Sequence, residues 1–147
     1  MTLEQQVRRL VDRDQIKELI ARYAHAIAHA RGDEVAAMFT EDGEFYTRYL
    51  HPARPATEVR GHAALRRYMG GLKPGQAIPC IHNFVIEIDG DRAKSTCSLE
   101  VRTVADGRSF IGSGYYDDTL RRVDGQWRFA VRDATFFHFV PLDEGWA

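Results

Sequence analysis

A change of hydrophobic period at His82 constrains this chain more than any other feature. From His82 to Val140 apolar residues recur at every second position in four runs, His82–Ile88, Arg92–Val104, Ser109–Val123 and Gln126–Val140. Asp89-Gly90-Asp91, Ala105-Asp106-Gly107 and Asp124-Gly125 separate them, and each supplies the glycine that a tight hairpin demands. Side chains alternate across a strand, so this spacing describes a sheet of antiparallel hairpins with one buried face.

Upstream the period is helical. Leu10, Ile16, Leu19, Ile20, Tyr23, Ile27 and Ala30 recur at three- and four-residue steps, the stripe of a long amphipathic helix. Asp12 or Asp14 suits its N-cap, and Arg31-Gly32-Asp33 suits its end and the start of a short helix through Val35, Ala36, Met38 and Phe39. Thr40-Glu41-Asp42-Gly43 reads as a turn. Glu44–Tyr49 then alternates, with Phe45, Thr47 and Tyr49 on one face. His51–Thr57, with Pro52 and Pro55, reads as a surface loop, and Gly61–Met69 returns to helical spacing. Helices first and hairpins afterwards predict one α+β domain over residues 1–147, its sheet packed on the helices.

Parity assigns the inner face. It holds His82, Phe84, Ile86 and Ile88; then Ala93, Cys97, Leu99 and Val101; then Phe110, Tyr116, Asp118 and Leu120. On the last run Trp127, Phe129, Val131 and Asp133 share one parity, and only one of Arg132 and Asp133 can face inwards. Tyr23 faces this surface from the first helix. Polar groups on an apolar face satisfy one another or line a pocket. Each has a plain structural alternative: Tyr23 as a core aromatic, Asp118 as a helix-capping or arginine-bonded buried acid, His82 as a hydrogen-bonded imidazole.

Charge and cysteine content narrow the function. A net charge of −1 spread along the chain gives no case for nucleic acid or anionic lipid. Arg66-Arg67 and Arg121-Arg122 read as solvated pairs. Cys80 and Cys97 are too few for a disulfide framework or a zinc site and read as buried reduced thiols. His25 and His29, one turn apart, fall off the apolar stripe and read as solvent-facing. No glycine-rich phosphate loop follows a strand and no ligand cluster has metal spacing, so no metal, nucleotide or flavin is expected. The charged opening MTLEQQVRRLVDRDQ lacks a signal-like apolar run, and no stretch is long enough to span a bilayer; the expected location is cytoplasmic.

In order, IKELIARYAHAI, DEVAAMFTEDGEF, RGHAALRRYM, FVIEIDGDRA, GSGYYDDTLRRVDGQWRFAVRD and the closing FFHFVPLDEGW resemble the SnoaL-like branch of the nuclear-transport-factor-2-like superfamily. The resemblance implies a curved antiparallel sheet wrapped by helices into a cone with a deep apolar pocket. It also implies relatives such as scytalone dehydratase, dehydrochlorinase and ketosteroid isomerase. The catalytic aspartate of the dehydratase-type members falls on Ala28 and their histidine on Pro79, so their His–Asp dyad is absent here. Against the isomerase type, the oxyanion tyrosine falls on Tyr23, the protonated acid on Asp118, and the base aspartate on Thr47.

These observations predict a cone that binds a mostly apolar terpenoid-, steroid- or polyketide-like molecule. The expected activity is that of a cofactor-free, dehydratase-like lyase or isomerase. Tyr23 and Asp118 would polarise a substrate oxygen and His82 would move the proton, while Thr47, Tyr49, Tyr116, Asp133 and Phe137 line the ligand. The alternative is a non-catalytic binding or accessory subunit that has lost the dyad. Tyr115, Ala130, Ala134 and Phe136, read on the opposite face, predict a homodimer or small homo-oligomer.

Overall fold

The computed structural model describes residues 1–145, and the termini of its elements follow local chemistry. Helix α1 (Leu3–Ala28) starts at Thr2, not at Asp12 or Asp14. The Thr2 hydroxyl accepts from the Gln5 amide at 3.1 Å and the Gln5 side chain accepts from the Thr2 amide at 2.8 Å, a reciprocal capping box. The first ten residues are exposed, so the helix runs past the body of the molecule before Ile16, Ile20, Tyr23, Ala26 and Ile27 reach the core. Ala30, at φ 56°, ends it in the left-handed region. Helix α2 (Gly32–Ala37) follows, and a Cβ on Gly32 would stand 2.5 Å from the Met69 carbonyl, so only glycine allows α2 to meet α3 (His62–Met69) so closely.

Six strands form one curved, open sheet in the order β2-β1-β6-β5-β4-β3: β1 (Phe39–Tyr49), β2 (Arg54–Arg60), β3 (Ala77–Asp89), β4 (Arg92–Ala105), β5 (Arg108–Val123) and β6 (Gln126–Pro141). The hairpins predicted from His82 onward form a meander, closed by two-residue turns with both φ positive at Asp106-Gly107 (53°, 73°) and Asp124-Gly125 (51°, 76°). The meander returns β6 alongside β1 in parallel, the one departure from an antiparallel sheet.

Two expected loops are strand. Thr40–Gly43 lies inside β1 as an irregularity between Phe39 and Glu44. Pro55 lies in β2, which tolerates it because an edge strand leaves one row of amides unpaired.

Bulges on β3 and β6 set which residues of those strands face inwards. On β3, Asn83 (φ 57°) and Phe84 together span the single step between Ser98 and Thr96 of the partner strand. On β6, Ala130 is extra between Phe129 and Val131, and Phe137 is extra between Phe136 and His138. Each extra residue moves all later side chains to the opposite face.

The core lies between the concave face of the sheet and the helices, with Phe39, Phe129, Leu65, Leu99 and Leu120 fully closed from solvent. Each such side chain contributes about 1.5–3 kcal/mol. A polar lock fixes α1 at one end. Asp12 accepts from Arg122 at 2.7 and 3.1 Å and from the Trp127 indole at 3.3 Å, and Arg122 also lies over the Trp127 ring at 4.4 Å. Arg122 is therefore not a solvated surface charge. Cys97 is buried as expected, but Cys80 is exposed because it lies on the outer face of β3.

Candidate functional site

The concave face carries a polar centre built from two adjacent rows of the sheet. One row runs Phe45–Arg132–Asp118–Ser95 across β1, β6, β5 and β4. The next runs Thr47–Ala134–Tyr116–Cys97. Tyr23 covers both from α1, its ring edge-on to Tyr116 at 6.1 Å and to Phe129 at 5.8 Å.

Arg132 is the centre of this arrangement. It is 0% exposed, and its guanidinium carbon lies 3.6 Å from the centroid of Tyr116, 4.2 Å from Tyr23 and 4.4 Å from Phe129. Its Nε stands 3.7 Å from Oδ1 of Asp118, an ion pair without a hydrogen bond. Both Asp118 oxygens, all three Arg132 nitrogens and the Thr47 and Ser95 hydroxyls are buried with no hydrogen-bond partner among the described residues. Buried polar atoms are nearly always paired, so this concentration in one patch marks a place prepared for polar contact.

Electrostatics follow from that burial. Loss of water raises the Asp118 carboxyl to about 7 despite the opposing pull of Arg132, and Asp117 and Asp133 push it the same way. Desolvation works against the charge on Arg132, but Asp118 and the two tyrosines more than offset it, so the guanidinium stays cationic. Burial likewise raises Tyr23 and Tyr116 above the ordinary phenol value and holds both as hydroxyls. The result is a permanent cation, two phenol donors and a carboxyl able to gain or lose a proton near neutrality.

The structure brings Tyr23, Thr47, Tyr116 and Asp118 to this patch. Tyr49 lies further along the same face, stacked on Phe136 at 5.3 Å. It removes three others. His82 is exposed, because the bulge at Asn83 puts it on the outer face while Phe84, Ile86 and Ile88 turn in; it cannot move a proton inside the cone. Asp133 points outwards to Arg48 at 3.0 Å, because the bulge at Ala130 exchanges its parity with that of Arg132. Phe137, itself a bulge residue, is 50% exposed against Tyr115 on the outer face. Ala134 and Phe136, assigned to that outer face, are inside.

Arg132 is the residue that strict alternation misses. The signal lay in the neighbouring pair Arg132-Asp133, of which one must turn in. The hollows between α1 and the hairpin ends of the sheet, of about 380 and 490 Å³, are lined by residues such as Glu18, Arg22 and Trp127 or Val7, Asp91 and Arg122, and stand clear of the patch.

A curved sheet closed by N-terminal helices over a polar-centred interior defines a cone protein. The chain belongs to the SnoaL-like domain family, whose model it matches over residues 8–133. It is 30% identical to the solved structure of Rv3472, a Mycobacterium tuberculosis protein of unknown function, covering 90% of this chain and 76% of that one with a TM-score of 0.74. Two further structures share the fold. A candidate scytalone dehydratase from Novosphingobium aromaticivorans has a TM-score of 0.75 at 22% identity, covering 93% of this chain and 91% of that one. A type 2 hexachlorocyclohexane dehydrochlorinase, LinA, has a TM-score of 0.77 at 19% identity, covering 97% of both chains.

Proposed function

We propose that this protein is a cofactor-free lyase or isomerase, dehydratase-like in its chemistry, acting on a small and mostly apolar oxygenated molecule held inside the cone. The observation that carries this reading is the buried Asp118–Arg132 pair beside Tyr23 and Tyr116, the pair's side-chain polar atoms having no hydrogen-bond partner among the described residues. In an elimination, protonated Asp118 gives its proton to a leaving hydroxyl as the C–O bond breaks. The carboxylate so formed takes a proton from the adjacent carbon as the C=C bond forms, and water departs. Arg132 and the two phenols hold the substrate's oxygens in place for both proton transfers. Asp118 thus takes over the proton movement that His82 cannot perform. The fold relatives described as a dehydratase and a dehydrochlorinase support elimination as the reaction class.

Ala28, Pro79 and the complete closure of Arg132 from solvent favour a second reading, a binding or accessory subunit. A thermal-shift screen of hydroxylated terpenoids, steroids and polyketide fragments, followed by mass spectrometry of each hit, separates the two. Loss of water from a bound hit, slowed on the order of 10²-fold by Asp118→Asn, supports the lyase. Stabilisation without conversion of any hit establishes the binding subunit.

The same reading includes a cytoplasmic protein that self-associates. No helix among the described residues is long and apolar enough to cross a membrane. The support for a homodimer is Tyr115 against Phe137 at 5.3 Å on the outer face of the sheet.

A further inference from the structure

We infer that the interior takes the carboxylate head of an otherwise apolar organic acid, its two oxygens gripped by the Arg132 fork while Asp118 holds a proton against it. This deepens the proposed function: it rests on the concave patch being the ligand site, and not on turnover.

Tyr116, Tyr23 and Phe129 crowd the Arg132 guanidinium at 3.6–4.4 Å, so its close neighbours are rings and not acceptor atoms. Its N–H bonds lie in the guanidinium plane, and among the described residues Nε, Nη1 and Nη2 all lack an acceptor at 0% exposure. A guanidinium presents a planar fork whose match is a planar pair of oxygens, and a carboxylate has that shape. Asp118 does not fill the role, since its Oδ1 stands off at 3.7 Å and neither of its oxygens accepts a hydrogen bond among the described residues.

Charge then selects a single negative unit. Arg132 and ionised Asp118 sum to zero, and an entering monoanion leaves one buried negative charge uncompensated. Protonation of Asp118 restores neutrality and turns it from a repelling anion into a donor towards the ligand. A dianion such as phosphate would leave a surplus charge even then. The groups that face Asp118 leave it alone to titrate near neutrality: Arg132 from β6, Tyr116 beside it on β5, Ser95 and Cys97 from β4, and Tyr23 from α1. Asp117 and Asp133, on the other face of the sheet, add repulsion that favours its protonated form. Phe45, Leu99, Leu120 and Phe129, packed into the core on the same face, make the surroundings of this centre apolar, which suits a hydrocarbon tail.

The test is calorimetric titration of the full chain with phenylacetate, phenylbutyrate and phenylhexanoate, each against its neutral amide. At least one acid should bind about tenfold or more tightly than its amide near pH 6. Its affinity should fall about tenfold per pH unit above pH 7, with uptake of about one proton seen as a buffer-dependent heat. Arg132→Lys keeps the charge but not the fork and should erase most of the preference for acid over amide. Amides as tight as acids in every pair, no binding by any acid, or an affinity flat between about pH 6 and 8.5 overturns the inference. If Arg132→Lys does not fold, the acid–amide ratio and the pH slope of the wild type decide. Acids bound here, with no hit converted in the screen of hydroxylated compounds, defeat the lyase reading and leave this one standing; amides bound as tightly as acids do the reverse.

Discussion

Asp118 and Arg132 stand directly opposite each other on β5 and β6, both turned into the core, with 3.7 Å between Oδ1 and Nε and, among the described residues, no hydrogen bond to either side chain. The two partners differ in how they tolerate separation. A carboxyl left alone can take up a proton; a guanidinium cannot give one up.

Removing each partner should therefore have unequal costs. Asp118→Leu strands a buried cation and should destabilise by about 3–5 kcal/mol, whereas Arg132→Met leaves an acid that neutralises itself and should cost less. The double replacement should fall close to the wild type or above it. Denaturant unfolding of the four proteins checks the order, and equal single-mutant losses would contradict it.

Asp118 should also imprint its titration on stability. Its folded value of about 7 lies above the ordinary 3.8, so the folded state binds the extra proton. The contribution is fully present below about pH 4 and is lost as pH rises to 7 and beyond, by at most roughly 4 kcal/mol. Asp118→Asn should flatten the stability curve in that window, measured by chemical denaturation at fixed pH values.

Asp12 should act in the opposite direction. Its hydrogen bonds to Arg122 outweigh burial and hold its carboxyl below 3.8, so its stabilisation exists above about pH 4 and disappears as pH falls. Arg122→Ala removes the bidentate partner and the ring cover of Trp127 together. A loss of about 2–4 kcal/mol is expected, read as a lower melting temperature with the acid limb shifted.

His82→Ala should change neither stability by more than about 0.5 kcal/mol nor ligand binding, because the imidazole is exposed on the outer face. A large loss of binding in this variant would return His82 to the site.

Phe137→Glu tests self-association. If the outer face of the sheet joins two copies, a charge at this half-exposed ring should give monomers at concentrations where the wild type sediments as a dimer. A wild type that is monomeric at tens of micromolar removes the proposal.

The architecture was legible because hydrophobic period and turn chemistry are local properties. The four runs after His82, their glycine turns and the Tyr23 stripe need only neighbours in sequence. Pairing is not local. Nothing near Thr40 or Arg54 announces that β6 will return beside β1 or that β2 will lie at the edge, and so those stretches read as turn and loop. The site divides the same way. Asp118 lies on β5, which has no extra residue of its own, and simple alternation places it. His82, Arg132, Asp133 and Phe137 lie beyond or within bulges, where the alternation restarts. Asn83 in the left-handed region was the available clue on β3, since asparagine tolerates positive φ better than most residues. Ala130 and Phe137 carry no such mark.

The bulges amount to a reading frame for the sheet. Taking Asn83 out of β3 would re-address every side chain from Ala77 to His82, sending Ala77, Pro79 and Ile81 to solvent and bringing Ile78, Cys80 and His82 indoors. One residue of length, with no change in any side chain, would exchange three apolar wall positions for an isoleucine, a thiol and an imidazole. In a cone of this kind a single-codon deletion is a larger chemical event than most substitutions, and the repertoire of the interior can change by slippage of the frame as well as by replacement of its letters.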